Sequence, residues 1–312
     1  MPRRLRTQTL GYLLLLVISL LLFREPLSRL VTLSWNDEHY NHIVLMPFIS
    51  LGLIFLQRAK TFLHTQYCPR VGIPVIAVAT ALAYLFGVGT PPVGPQVALA
   101  LAVALVALIW IAGFVLFYGT RAFAAAVFPL FLVLLIVPIP PPLVQLAEIA
   151  LQKASGEATG ILFYLTGTPV FREGLHFSLP GVTIEVAQEC SGIRSSIALL
   201  ITGLVLSHLF LQSGWRKTLL IVLTIPIAIL KNALRIAILS WLAVYVSKDF
   251  LFGDLHHRGG PVFSLLSLAL LVPLLMALKK SEARCAKALI LDSGAPLPTS
   301  SARPATETVS TD

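Results

Sequence analysis

The segment Glu189-Cys190-Ser191-Gly192-Ile193-Arg194 carries a lone thiol where a polar stretch gives way to a long apolar run. A thiolate is a potent nucleophile, and it is favoured at a helix N-terminus, where free backbone N–H groups gather, and beside a guanidinium such as Arg194. Taken alone, one such cysteine is more simply a small buried hydrophobe. A second segment, "IPIAILKNALRIAILSWLAVYV", interrupts an apolar run with Lys231, Asn232 and Arg235. Ionisable groups within a span are expensive and mark function by default, although an arginine can also snorkel to the interface. Asn232 and Arg235, three residues apart, share one helix face. A third segment, "DLHHRGGPVFSLL", supplies His256 and His257. Imidazole carries protons near neutral pH, whereas paired loop histidines are otherwise simply solvated. Thiol, guanidinium and imidazole in three separate segments carry weight only if the fold brings them to one face.

Composition says which elements must do so. The chain has 312 residues, of which 57% are hydrophobic and 12% charged, with a mean hydropathy of +0.87. That excludes an ordinary soluble domain and predicts an integral membrane protein. Alternating strands of the barrel kind are not visible, so the spans are helices. The pattern predicts an all-α membrane protein of about eight transmembrane helices, near 8–23, 41–57, 72–90, 97–118, 123–139, 195–212, 218–246 and 261–278. The first has a basic start, "MPRRLR", but "REPLSRL" stands where a cleavage site would be, which favours an uncleaved signal anchor.

Residues 140–194 form one long connection, opened by "PIPPP". It carries an amphipathic interfacial segment, "LVQLAEIALQKASGEATGILFYLTG", and then short alternating runs that predict a small hairpin. Residues 1–280 read as one polytopic membrane domain, and 281–312, rich in Ala, Pro, Ser and Thr, as a disordered cytoplasmic tail.

Basic residues set the expected orientation. With the N-terminus inside, Arg3, Arg4, Arg6, Arg58, Lys60, Arg70, Arg121, Arg216, Lys217, Lys279, Lys280, Arg284 and Lys287 all fall on the cytoplasmic side. The net charge of +9 is then a topology signal, and no stripe of basic and aromatic residues suggests a nucleic-acid partner. Cys68 and Cys285 fall inside and Cys190 outside, which leaves Cys190 without a disulfide partner in the chain and flags it as a reactive thiol. Arg235 lies eighteen residues beyond Lys217, or about 27 Å at 1.5 Å per residue. It is thus expected near the outer boundary, level with Cys190.

These residues resemble the exosortase and archaeosortase transpeptidases. "ECSGIRS" is similar to the family's cysteine motif, "NALRI" to its arginine motif, and "HHRGGPVF" to its histidine followed by Gly and an aromatic. "SWNDEHYNHIVLMPFISLGLIFLQR" resembles its early Trp, Tyr and His segment, so that the likeness runs in order over roughly residues 30–280. Around the early His42 the family often has Ser and Gly where this chain has Asn41 and Ile43. His256 stands four residues before Gly260 and seven before Phe263, the spacing the family leads one to expect, and is preferred to His257.

The resemblance implies a cysteine enzyme of the bacterial inner membrane, with its site at the extracytoplasmic face. Its partners would be exported proteins ending in a short Pro-containing motif, a membrane helix and a basic cluster, as in PEP-CTERM-type sorting, together with membrane lipid and an acceptor nucleophile of unknown identity. Cys190 would attack the scissile carbonyl to give a thioester, Arg235 would stabilise the oxyanion or thiolate, and His256 would shuttle the proton. Ser191, Gly192, Arg194, Asn232, His257 and His42 would support them, with Asp254 or Glu189 available to orient the imidazole. Neither cofactor nor metal is expected in this reading. Two alternatives remain open: a carrier of an anionic lipid or small molecule held by Lys231 and Arg235, and a metalloenzyme using His39, His42, Asp37, His256 and Asp254. The "HYNH" spacing suits the second, although no HExxH helix accompanies it.

Overall fold

The computed structural model describes residues 3–87, 93–186, 192–247 and 260–292. Among these, seven helices are long and apolar enough to cross a bilayer, or eight if one sharply bent pair counts as a span. The chain is an all-α membrane protein, as its composition requires.

Helix α1 (Arg3–Leu22) is the first span. The structure then adds α2 (Arg24–Asn36), an amphipathic helix that buries Pro26, Leu30 and Ser34 at four-residue spacing. Two short 3₁₀ turns, Glu38–Tyr40 and Ile43–Leu45, lead into α3 (Met46–Leu56), followed by the short α4 (Arg58–Thr61). Helices α5 (Pro69–Gly87) and α6 (Pro95–Ala125) form a close antiparallel pair. Their approach depends on small residues: a Cβ on Gly72 would lie 2.5 Å from the Leu116 Cβ, and Ala79 and Ala83 are also buried. In lipid, where no water drives apolar faces together, such backbone proximity supplies the dispersion contacts that hold helices.

The fifth expected span departs from its sequence reading. Gly119 takes φ 87°, where a side chain would meet the Gln66 carbonyl, and the helix bends there. The residues from 123 therefore complete α6, and only α7 (Val127–Leu132) with the 3₁₀ turn Val133–Ile136 remains. Ten residues of helix cover about 15 Å, half of a hydrocarbon core. The chain then turns by 98° into α8 (Pro141–Leu165). The cause is local: Val137 is extended before Pro138, as residues preceding proline are, and three further residues pass before Pro141 opens the new helix at its N1 position.

Helix α8 packs across the long α10 (Gly214–Tyr245). The expected hairpin beyond it is a three-stranded antiparallel meander of β1 (Phe171–Glu173), β2 (His176–Leu179) and β3 (Val182–Glu185). Phe163 of α8, Phe177 and Leu179 of β2, Val186, and Ile236 and Ala237 of α10 form one buried cluster, which fixes this small sheet against α10. Arg172 forks onto Glu157 at 2.6 and 2.9 Å, and these hydrogen bonds hold the Glu157 carboxyl below the usual carboxylate range.

The bundle closes with α9 (Ile193–Phe210) and α11 (Gly260–Asp292), both packed on α10. Leu199, Leu211, Leu220, Ala228 and Leu271 bury the three-helix seam. Helix α11 continues beyond the expected domain boundary at 280, and residues 293–312 lie outside the described residues.

Hydrogen bonds define the two ends of the bundle. At one end Gln66 and Cys68 donate to the α6 carbonyls of Tyr118 and Leu116, and the Glu282 carboxylate of α11 accepts from the backbone of Gln212 and Ser213 ahead of α10. At the other, Glu38 meets Arg194, His39 meets Glu148, and the Tyr40 hydroxyl donates to Ile139.

Candidate active site

Cys190, Ser191, His256 and His257 lie outside the described residues, as does Asp254. The flanks of the cysteine motif and the whole arginine motif are described, and they meet.

On the upstream flank, Val186 is fully buried, donates its N–H to Leu175 and accepts from the Gln152 side chain of α8. On the downstream flank, Gly192 begins α9 with φ 68° and ψ 18°. That left-handed conformation suits glycine, and the surroundings require glycine as well. A Cβ there would lie 2.9 Å from Asn232 Oδ1 and 3.4 Å from Lys231 Nζ. The residue two places after Cys190 therefore rests directly on the arginine motif of α10, about forty positions further along the chain.

The contact is reinforced by polar groups. Lys231 and Asn232 are 2% and 1% exposed, so both commit polar atoms to the interior. The Lys231 ammonium donates to Ser195 Oγ, and the Ser195 and Ser196 hydroxyls each donate to the Gly192 carbonyl at 2.9 Å. Ser196 N–H closes the first helical bond to the same oxygen, also at 2.9 Å. Arg235 follows Lys231 by one turn on α10 and is half-buried. The N-terminus of α9 thus faces the Lys231 ammonium, with Arg235 one turn further along α10, and the N–H groups of its own first turn add further positive potential. Such a place stabilises a thiolate or an oxyanion.

The early polar segment joins this end from another side. Arg194 reaches Glu38 at 3.0 Å. His39 lies between two carboxylates, with Nδ1 2.5 Å from Asp37 and Nε2 2.7 Å from Glu148. The half-buried His42 faces the backbone carbonyls of His39 and Leu135 instead. His39 and His42 thus have separate partners, and among the described residues no group of three or more His, Cys, Asp or Glu side chains is arranged to hold a metal ion.

Of the sequence candidates, Gly192 and Asn232 come into contact, Arg194 ties the early segment to α9, and Arg235 stands on the same face as Asn232. Ser195, Glu38 and Glu148 escaped the sequence reading. A serine three residues after Gly192 is an ordinary helix residue until Lys231 is seen beneath it, and Glu148 looks like one charge of an amphipathic helix until its burial is known.

At one end of this bundle of apolar helices, the downstream flank of the cysteine motif therefore meets the arginine motif. Residues 34–273 match the transmembrane exosortase family (Exosortase_EpsH), and the chain belongs to that family. Membership carries a membrane transpeptidase role in protein sorting. No curated protein and no solved structure matches the chain.

Proposed function

We propose that this chain is a cysteine transpeptidase that cleaves the C-terminal sorting signal of exported proteins at the extracytoplasmic face of the bacterial inner membrane. The observation that carries the reading is the contact of Gly192 with Lys231 and Asn232, because it joins the cysteine motif to the arginine motif across forty residues of sequence.

In this reading the Cys190 thiolate adds to the scissile carbonyl, and the resulting oxyanion is balanced by Arg235 and the α9 N-terminus. Collapse forms the thioester and breaks the peptide C–N bond, with His256 delivering a proton to the departing amine. An acceptor amine or water, deprotonated by the same imidazole, then attacks the thioester and restores the thiolate. The leaving fragment would be the membrane helix with its basic cluster. A site at the bundle end away from Arg4, Arg58, Arg121, Lys217 and Lys280 suits a signal whose motif emerges from the outer leaflet.

The direct test replaces the nucleophile. Cys190→Ala should abolish processing at nearly normal protein abundance, and Cys190→Ser should leave little, since a hydroxyl is far less nucleophilic than a thiolate. A lipid carrier would barely respond to either change. Full processing by Cys190→Ala would falsify the assignment.

A further inference from the structure

Lys231 is buried in α10 and has no part in the reaction outlined above. Burying an ammonium is expensive, and replacing a buried charge by an apolar group of like volume is often neutral or stabilising. The acceptor that Lys231 reaches on α9 is a neutral hydroxyl, that of Ser195, rather than a carboxylate. Stability of the bundle is therefore a poor reason for this lysine, and an ionisable group set into a span points to function.

The hydrogen bond gives a direction to a short chain of dipoles. An ammonium has donors only, so Ser195 Oγ must accept from it, and the one hydroxyl proton is left for the Gly192 carbonyl, 2.9 Å away. The same carbonyl takes the Ser196 hydroxyl and the Ser196 N–H, each also at 2.9 Å. Because a peptide unit is planar and trans, a carbonyl turned into α9 aims the N–H of the same peptide the opposite way, out of the helix N-terminus. Lys231 Nζ also lies 3.4 Å from where a Gly192 Cβ would stand, so the ammonium sits directly under the turn. That turn joins the cysteine motif to α9, with Gly192 two residues after Cys190.

We infer that Lys231 is a positioning residue: through Ser195 it sets the peptide plane after Gly192, and with it the turn that carries the cysteine motif into α9. The role rests on the transpeptidase reading given above. Lys231 acts here on the enzyme's own backbone, so its loss should slow turnover and leave substrate binding alone.

The test measures processing by the full chain in native membranes, with the exported protein of the same genome that ends in a Pro-containing motif, an apolar helix and a basic cluster, together with thermal midpoints in detergent. Lys231→Met keeps an unbranched stem and removes the charge. It should lower kcat about tenfold or more, since small misplacements of reacting groups cost up to about 10²-fold. KM should stay within about twofold, and the thermal midpoint should hold or rise. Ser195→Ala takes this acceptor from the ammonium and should lower both kcat and midpoint, whereas Ser195→Thr, which keeps the Oγ, should restore most of both. Adding Lys231→Met to Ser195→Ala should lower kcat no further and should raise the midpoint, because the two residues act as one path. Normal kcat in Lys231→Met, a raised KM at unchanged kcat, or losses that add in the double variant overturn the role. Should Lys231→Met not accumulate, the serine variants decide, and equal kcat for Ser195→Ala and Ser195→Thr overturns it. Processing by Cys190→Ala equal to that of the unaltered chain removes the transpeptidase reading and the positioning role with it, although the recovered midpoint of the double variant would still report the bond between Lys231 and Ser195.

Discussion

At the scale of single residues, the arginine motif separates a structural role from a chemical one. An anchoring cation needs only reach and charge, so Arg235→Lys would be benign if Arg235 merely met the interface. A guanidinium set against an oxyanion uses planar, forked donors that an ammonium cannot reproduce. Arg235→Lys should therefore insert and accumulate normally yet lose most processing, and near-normal turnover in a membrane assay returns Arg235 to anchoring. The histidines differ in a similar way, because neighbouring residues project in different directions and at most one imidazole reaches a given sulfur. His256→Ala should lower processing by about 10²–10⁴-fold, the usual worth of general acid–base catalysis, while His257→Ala stays mild. Kinetics of the two variants decide, and the reverse order transfers the role to His257. The basis of both expectations was legible in the sequence, since an ionisable residue inside a span is conspicuous by type alone, as is a pair of histidines just ahead of the last apolar run. Lys231 was conspicuous in the same way, but its bond to Ser195 joins two helices, and no spacing rule links positions on separate helices.

At the scale of elements, the start of α9 is the sensitive point. Gly192 combines a left-handed backbone with contact on two buried side chains of α10. A non-glycine residue in that conformation is disfavoured by about 1–2 kcal/mol, and the Cβ of Gly192→Ala would also push Asn232 aside. Gly192→Ala should lower the thermal midpoint in detergent and reduce processing more than stability, because the displaced groups belong to the arginine motif. Gly52→Ala is the matched control: Gly52 sits within α3 with open space where a Cβ would go. It should be neutral or slightly stabilising, as alanine restricts the unfolded chain and favours helix. Equal effects of the two substitutions would mean that the Gly192 contact carries no special weight.

At the scale of the whole molecule, the positions of three cysteines test the orientation on which the mechanism depends. Cys68 lies beside α5 at the end of the bundle where Leu116 and Tyr118 receive backbone bonds, and Cys285 lies far along α11 near Glu282, at that same end. The cysteine motif adjoins the opposite end, where Arg194 meets Glu38. A membrane-impermeant thiol reagent applied to intact spheroplasts should thus label Cys190 in preference to Cys68 and Cys285. Labelling of the latter pair alone would reverse the assignment of inside and outside.

Composition and hydropathy by themselves determined that this is a helical membrane protein, because no soluble core could absorb so much apolar surface, and they located seven of its spans, all but the ends of α6 and α11 to within a few residues. The motifs "ECSGIRS" and "NALRI" were equally visible, since reactive side chains in apolar runs announce themselves. What the sequence could not express is geometry that arises between elements. The fifth apolar run became a half-length helix because Gly119 bends its predecessor and the Pro138 turn redirects its successor, although hydropathy treats the whole run as continuous. Glu148, one charge among several on an amphipathic helix, became a buried partner of His39 only when α8 lay down across the bundle. The contact of Gly192 with Asn232 likewise exists because α9 and α10 pack closely along their small and polar faces. Periodicity reports which face of a helix is buried, and tertiary packing alone decides which other helix it meets.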